Sequence, residues 1–151
     1  METLPLIFAY VGMAVMLVLS CTGSAVGVTM AGNATIAAMK KNPDIFGKSL
    51  VLCALPSTQG LYGFAGFFLM LGSLREMNGM INLNQGLALF AASVALGVVG
   101  LISGIKQASI CANGVNEMSN GNDVFANTMI LAVFPELYAI LTFAASFLAL
   151  P

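Results

Sequence analysis

The chain has 151 residues, of which 59% are apolar and 7% charged, with 5 Lys+Arg against 6 Asp+Glu and no histidine. Soluble domains are about a quarter charged, so this composition excludes a water-soluble globule; a net charge of −1 without a basic cluster leaves no electrostatic footprint for nucleic acid. Cys21, Cys53 and Cys111 stand alone inside apolar runs, without the clustered spacing of a zinc site, and are expected to pack as small apolar side chains.

The opening METLPLIFAY lacks the basic segment of a signal peptide and leads into an uncharged run over 3–39, so it is expected to be retained as the start of a membrane helix. Uncharged runs follow at 49–74 and 77–105, and a run over 124–151 holds one carboxylate, Glu136. Each exceeds the ~20 residues that cross a bilayer. Polar, turn-forming breaks at 40–44, 75–79 and 119–123 separate them. The expectation is an all-α membrane protein with four transmembrane helices in two hairpins. The first is 1–75, with helices about 5–39 and 45–74; the second is 80–151, with helices about 83–118 and 124–150.

Shifting the sequence by 79 positions aligns Ser24 with Ser103, Met39 with Met118, Asp44 with Asp123, Pro56 with Pro135 and Phe68 with Phe147. The halves therefore read as one hairpin used twice in the same sense, which puts both hairpin loops on one side. Lys40, Lys41 and Lys48 flank the first loop, so the positive-inside rule assigns the loops to the cytoplasm and the termini to the outside. Gly23 with Gly27, and Gly100 with Gly104, have the GxxxG spacing that lets membrane helices approach closely. Helices two and four carry the aromatic bulk, including Phe64, Phe67, Phe68, Phe134, Phe143 and Phe147. A tight inner layer of helices one and three and a looser, lipid-facing layer of two and four follow. Packing within one chain and packing in an assembly both explain the glycines, and their presence in both halves favours an assembly.

Glu136 lies 13 residues past Asp123, roughly 20 Å along a helix and so near mid-membrane. A carboxylate there costs at least ~2.5 kcal/mol unless it is protonated or holds a cation, which makes it the leading functional candidate. Its repeat counterpart is Ser57, so each chain offers one carrier site. Pro56 and Pro135 each remove a backbone N–H inside a membrane helix and loosen the local ladder. Leu55, Thr58, Gln59 and Tyr62 follow i, i+3, i+4, i+7 spacing and share one face. Gln107 is at similar depth on the third helix, where Ser103, Gly104 and Cys111 leave room around it. Carboxylate, amide, hydroxyl and carbonyl oxygens are the ligands of hard alkali cations. A proton would need only Glu136 and hydrogen bonds to its protonated form, so the extra oxygens favour sodium.

LPSTQGLYGF at 55–64 and FPELYAIL at 134–141, with GSAVGVTMAG at 23–32 and SGIKQA at 103–108, resemble the proteolipid of V-type rotary ATPases, the duplicated c-type (K) subunit of bacterial sodium/proton pumps. The resemblance spans essentially the whole chain. It implies four-helix protomers assembled in a membrane ring that turns against a stator subunit, with Glu136 as the ion-carrying carboxylate. It also implies sodium ligands at Leu55 (main-chain carbonyl), Thr58, Gln59, Gln107 and Glu136, with Tyr62 closing the site. Two positions depart from the sodium-type pattern. Pro135 precedes the glutamate, as in eukaryotic proton-pumping proteolipids, and Lys106 stands where a small neutral residue is usual. Lys106 either pairs with Glu136 or points elsewhere, about 100° around the helix.

The expected function is therefore a non-catalytic rotor subunit. No GxxxxGK[ST] motif occurs, so ATP hydrolysis belongs to partner subunits, and no cofactor is expected beyond the transported Na+ or H+. Expected partners are further copies in a ring, a stator subunit supplying an arginine, central-stalk subunits touching the loops near Lys40, Lys41 and Asn120, and the lipid bilayer, with no nucleic acid. The location is a multi-pass cell-membrane protein. The competing readings are a proton-coupled exporter using Glu136 as a relay, a structural or pore-forming tetraspan, and a ring that carries protons only.

Overall fold

The computed structural model describes residues 3–148 and Leu150. The uncharged runs become helices: α1 (Leu4–Met39), α2 (Phe46–Ala54), α3 (Thr58–Glu76), α4 (Leu83–Ser119) and α5 (Phe125–Phe147). Among the described residues there is no strand. Four spans are long and apolar enough to cross a membrane, α2 and α3 together forming the second. The all-α architecture read from the sequence is thus observed.

Local chemistry sets the boundaries. The side chain of Asn42 accepts from the N–H of Asp44 and Pro43 opens the 3-10 turn Pro43–Ile45, because proline at a first helical position loses no intrahelical bond. α3 ends where Asn78 (φ 51°) and Gly79 (φ 70°) turn left-handed and the Gly79 N–H returns to the Leu74 carbonyl. Asn82 and Gln85 then start α4 with a reciprocal capping box.

Pro56 interrupts the second span. It cannot donate to Leu52, so Leu55–Ser57 tightens to a 3-10 turn between α2 and α3. Ser24 of α1 steadies the break, accepting the Gly60 N–H at 2.7 Å. Pro135 has a milder effect and lies inside a continuous α5.

α1 and α4 form the closest pair. A Cβ on Gly23 would lie 2.6 Å from the Leu101 Cα, one on Gly27 2.9 Å from the Gly104 oxygen, and one on Gly104 3.0 Å from the Gly23 carbonyl carbon. Both GxxxG pairs are therefore used within the protomer. Of the two explanations the sequence left open for these motifs, packing within one chain is the one observed, the small faces being covered by each other. Phe64, Phe68 and Phe134 are exposed on the second and fourth spans, as a lipid-facing layer requires. Of the cysteines, Cys111 is buried and Cys53 half-buried, whereas Cys21 is exposed on α1 and has no packing role within the chain.

The two hairpin loops meet at one end, where Lys41 Nζ donates to Asn120 Oδ1 at 3.3 Å and Lys48 pairs with Asp123 at 3.2 Å. An apolar cluster including Ala31, Leu52, Val115 and Ala132 lies toward that end. A methionine-rich cluster including Met13, Met16, Met70 and Leu96 lies toward the other. Between them sits a buried polar belt. Because cores resist added volume, Gly23→Ala is expected to destabilise the protomer by about 1–3 kcal/mol. Gly72→Ala, where a Cβ meets nothing within 4 Å, is expected to be neutral or stabilising. Denaturant titration of helicity in detergent micelles measures both.

Candidate ion-binding site

The polar belt is assembled from three spans. The break at Pro56 leaves the Leu55 carbonyl at the head of α3, where it accepts both the backbone N–H and, at 3.0 Å, the hydroxyl of Thr58. Thr58 Oγ1 also lies 3.4 Å from Gln59 Oε1. One turn along α3 stands Tyr62. Opposite, α4 contributes Ser103 and Gln107, spaced i, i+4 and both buried. α5 contributes Glu136, eleven residues from each end of that helix.

Hydrogen bonds join these groups into one chain. Gln59, fully buried, donates from Nε2 to Ser103 Oγ at 3.1 Å and to Gln107 Oε1 at 2.9 Å. Gln107, also fully buried, donates from Nε2 to the Ala132 carbonyl and to Glu136 Oε2, each at 3.0 Å. Tyr62 OH donates to Glu136 Oε1 at 2.8 Å, and its ring packs on Phe143 with centroids 5.8 Å apart. Both protons of each amide are thereby used. Such a satisfied buried network is rigid, whereas any unpaired member would be costly. The carboxylate accepts at both oxygens, one bond from each side.

The structure thus brings together Leu55, Thr58, Gln59, Tyr62, Gln107 and Glu136. Gln107 is the joint, since its amide connects Gln59 to the carboxylate. Lys106 takes no part: it is exposed, lines an open groove between α4 and α5, and is not paired with Glu136. The reading in which it pairs with the glutamate is therefore set aside. Its helical neighbour Gln107 points inward and Lys106 outward, as their angular separation requires.

Ser103 was read from the sequence only as a small residue leaving room, and the structure gives it more. Its hydroxyl accepts from Gln59 and donates to the Pro135 carbonyl at 2.7 Å, tying α5 to the belt one residue before Glu136. Its i, i+4 spacing to Gln107 was the available signal. Pro135 strips the Leu131 carbonyl of its helical donor, and the next carbonyl along, Ala132, takes the Gln107 amide. Among the described residues no three His, Cys, Asp or Glu cluster as metal ligands. A cation held here would be coordinated by one carboxylate and neutral oxygens.

Comparison with known proteins identifies the architecture. The model of the family described as the ATP synthase C subunit matches twice, over residues 11–70 and 90–149. The chain belongs to that family. The tandem match is offset by the same 79 positions as the internal repeat. The chain is 38% identical over 143 residues to the V-type sodium ATPase K subunit of Enterococcus hirae, covering 95% of this chain and 90% of that protein. It is 33% identical over 136 residues to the A-type ATP synthase K subunit of Methanocaldococcus jannaschii, covering 90% of this chain and 58% of the longer relative. A V-type proton ATPase 16 kDa proteolipid of Caenorhabditis elegans is 22% identical over 130 residues, covering 86% of this chain and 81% of that protein. The chain is accordingly a V/A-type proteolipid, a multi-pass membrane subunit of a rotary ATPase without catalysis of its own. That assignment displaces the readings as a self-contained exporter or a structural tetraspan.

Because Tyr62 supplies one of the two side-chain bonds to Glu136 and stands over it, Tyr62→Phe is expected to speed carbodiimide labelling of Glu136 several-fold at fixed pH. Tyr138→Phe, altering an exposed tyrosine on α5, should leave the rate unchanged. Mass-spectrometric mapping of the labelled residue reads both.

Proposed function

We propose that this proteolipid carries Na+ at Glu136 as part of a rotor ring driven by ATP hydrolysis in partner subunits. The observation that carries the reading is the company Glu136 keeps. A proton carrier needs a carboxyl and a donor or acceptor for it. Here the carboxylate is linked through Gln107 to a cluster of neutral oxygens from Leu55, Thr58 and Gln59, the donor types that suit a hard monovalent cation. A relative at 38% identity is named as a sodium ATPase subunit, which supports the same choice.

In this reading a cation reaches the site from a half-channel in a stator subunit. It displaces the Gln107 amide from Glu136, and the Thr58, Gln59 and Gln107 oxygens with the Leu55 carbonyl complete its coordination. Tyr62 then closes over the carboxylate. The neutralised site crosses the lipid-facing arc as the ring turns, because an ion-paired carboxylate is far less costly there than a bare one. A stator arginine releases the ion at the end of the circuit. This chain's single arginine, Arg75, lies at the end of α3, so the displacing cation comes from another subunit. One charge crossing 100 mV represents ~2.3 kcal/mol, so several copies must act per turn to match nucleotide hydrolysis. The joined loops near Lys40, Lys41 and Asn120 are the surface for the central stalk on the cytoplasmic side, with both termini outside.

Labelling purified rings with dicyclohexylcarbodiimide at fixed pH tests the choice of ion. Modification at Glu136 that sodium suppresses, and potassium at equal concentration does not, is the expected result. Labelling at Glu136 that is indifferent to sodium would make the ring a proton carrier. In the reconstituted holoenzyme, Glu136→Gln is expected to abolish sodium uptake by at least 100-fold.

A further inference from the structure

The 79-residue repeat and the burial pattern together identify what covers the open face between α4 and α5. A groove of about 550 Å³ runs between α4 and α5 and is lined by residues that include Val99, Ile102, Lys106, Ile110, Leu131 and Tyr138. Their counterparts one repeat earlier are Ser20, Gly23, Gly27, Ala31, Leu52 and Gln59. All six counterparts are buried, under the second hairpin. The face that the first hairpin hides beneath the second is thus the face that the second hairpin leaves open.

The complementary surface obeys the same register. Within the chain, Gly23 and Gly27 of α1 pack against the α4 face containing Gly104 and Ala108. One repeat earlier that face is Ala25 and Thr29, which line an open groove of about 540 Å³ on α1 with Val26, Met30 and Asn33. Each chain therefore carries an open socket at one end of its helix series and the matching open face at the other. Such a head-to-tail pair closes into a ring when the rotation permits.

In the rotor ring of the reading above, on which this inference rests, α1 of the next copy fills the α4–α5 groove, and we propose that Lys106 is seated there against Thr29 and Asn33 of that copy. A Cβ on Gly27 would lie 2.9 Å from the Gly104 oxygen and 3.3 Å from the Ala108 Cβ. In the repeat register, Lys106 therefore stands beside the carbonyl of Ala25 and the side chain of Thr29 in the next copy. Lysine and isoleucine cannot enter a contact as close as the glycine one. The seam between copies is consequently wider than the α1–α4 contact within a copy, and the ring alternates tight and wide steps. Lys106 lies 13 residues from Ser119 at the end of α4, roughly 20 Å, too far for its side chain to reach the membrane surface. Its ammonium needs oxygen partners at that depth. The Thr29 hydroxyl and the Asn33 carboxamide in the opposing groove supply them.

A single substitution tests the register. The Cβ position of Gly100 is 3.2 Å from the Ser20 Cβ, and the repeat counterparts of this pair are Cys21 and Val99. A disulfide spans Cβ separations of about 3.5–4.5 Å, which fits the wider seam. Oxidised Val99→Cys rings are expected to run on denaturing gels as a ladder of covalent multimers. The wild type and the V99C/C21S double variant should give none. Should V99C fail to assemble, I102C, also opposite Cys21, is read in the same way. Rings that native mass spectrometry finds intact without any ladder would show the groove facing lipid and overturn the proposal alone. Absence of any ring from the wild-type protein would overturn the rotor reading with it. For the lysine, T29V/N33L should lower the ring's dissociation temperature in the wild type and not in a Lys106→Met background. Equal lowering in both backgrounds would refute the Lys106 contact.

Discussion

A carboxylate halfway along a membrane helix is the constraint around which this protein is built. Water cannot solvate Glu136 at that depth, so the chain must supply what water would. It does so with Tyr62 from one side and Gln107 from the other. Gln107 in turn can face inward only because the Gln59 amide and the Ala132 carbonyl satisfy its remaining hydrogen-bonding groups. The break at Pro56 matters for the same reason. A straight helix would bond the Leu55 carbonyl along its own ladder, whereas the 3-10 turn presents it to Thr58 at the belt.

Glycine packing holds the polar belt in register. Gly23, Gly27, Gly100 and Gly104 let α1 and α4 approach until backbone meets backbone, fixing the helix that carries Ser103 and Gln107 without side-chain slack. α5 leans on α4 and, less, on α3 and is largely exposed elsewhere, with Phe134 and Tyr138 more than half accessible. A rigid inner pair and an outer helix bearing the ionisable group suit the proposed carrier site, which would open to a stator and close toward lipid. The duplication explains why only one such site exists: Ser57 occupies the position of Glu136, and Gln59 that of Tyr138.

Much of this was legible in the sequence, because the membrane reduces the alternatives. Uncharged runs longer than a bilayer can only be spans, and a lone carboxylate inside one has to be accounted for. The i, i+3, i+4, i+7 spacing put Leu55, Thr58, Gln59 and Tyr62 on one face, and depth arithmetic brought Gln107 to the same level. What spacing could not give was connectivity. Whether Lys106 or Gln107 faced the glutamate depended on the rotation of α4, which the glycine contacts with α1 determine. The role of Ser103 depended on the Pro135 carbonyl, a backbone group with no sequence signature. Whether the glycines served the chain or an assembly was undecidable from GxxxG alone, since the motif states how close a neighbour comes and not which neighbour it is.

The central claim is that each chain holds one carboxylate-centred cation site built across its two hairpins. Equilibrium binding of radioactive sodium to purified rings, counted against protein mass, tests it most directly. The account predicts one ion per 151-residue chain, displaced by lowering the pH and lost in the Glu136→Gln variant. Rings that retain no sodium at neutral pH, or that retain it undiminished without the glutamate, would contradict it.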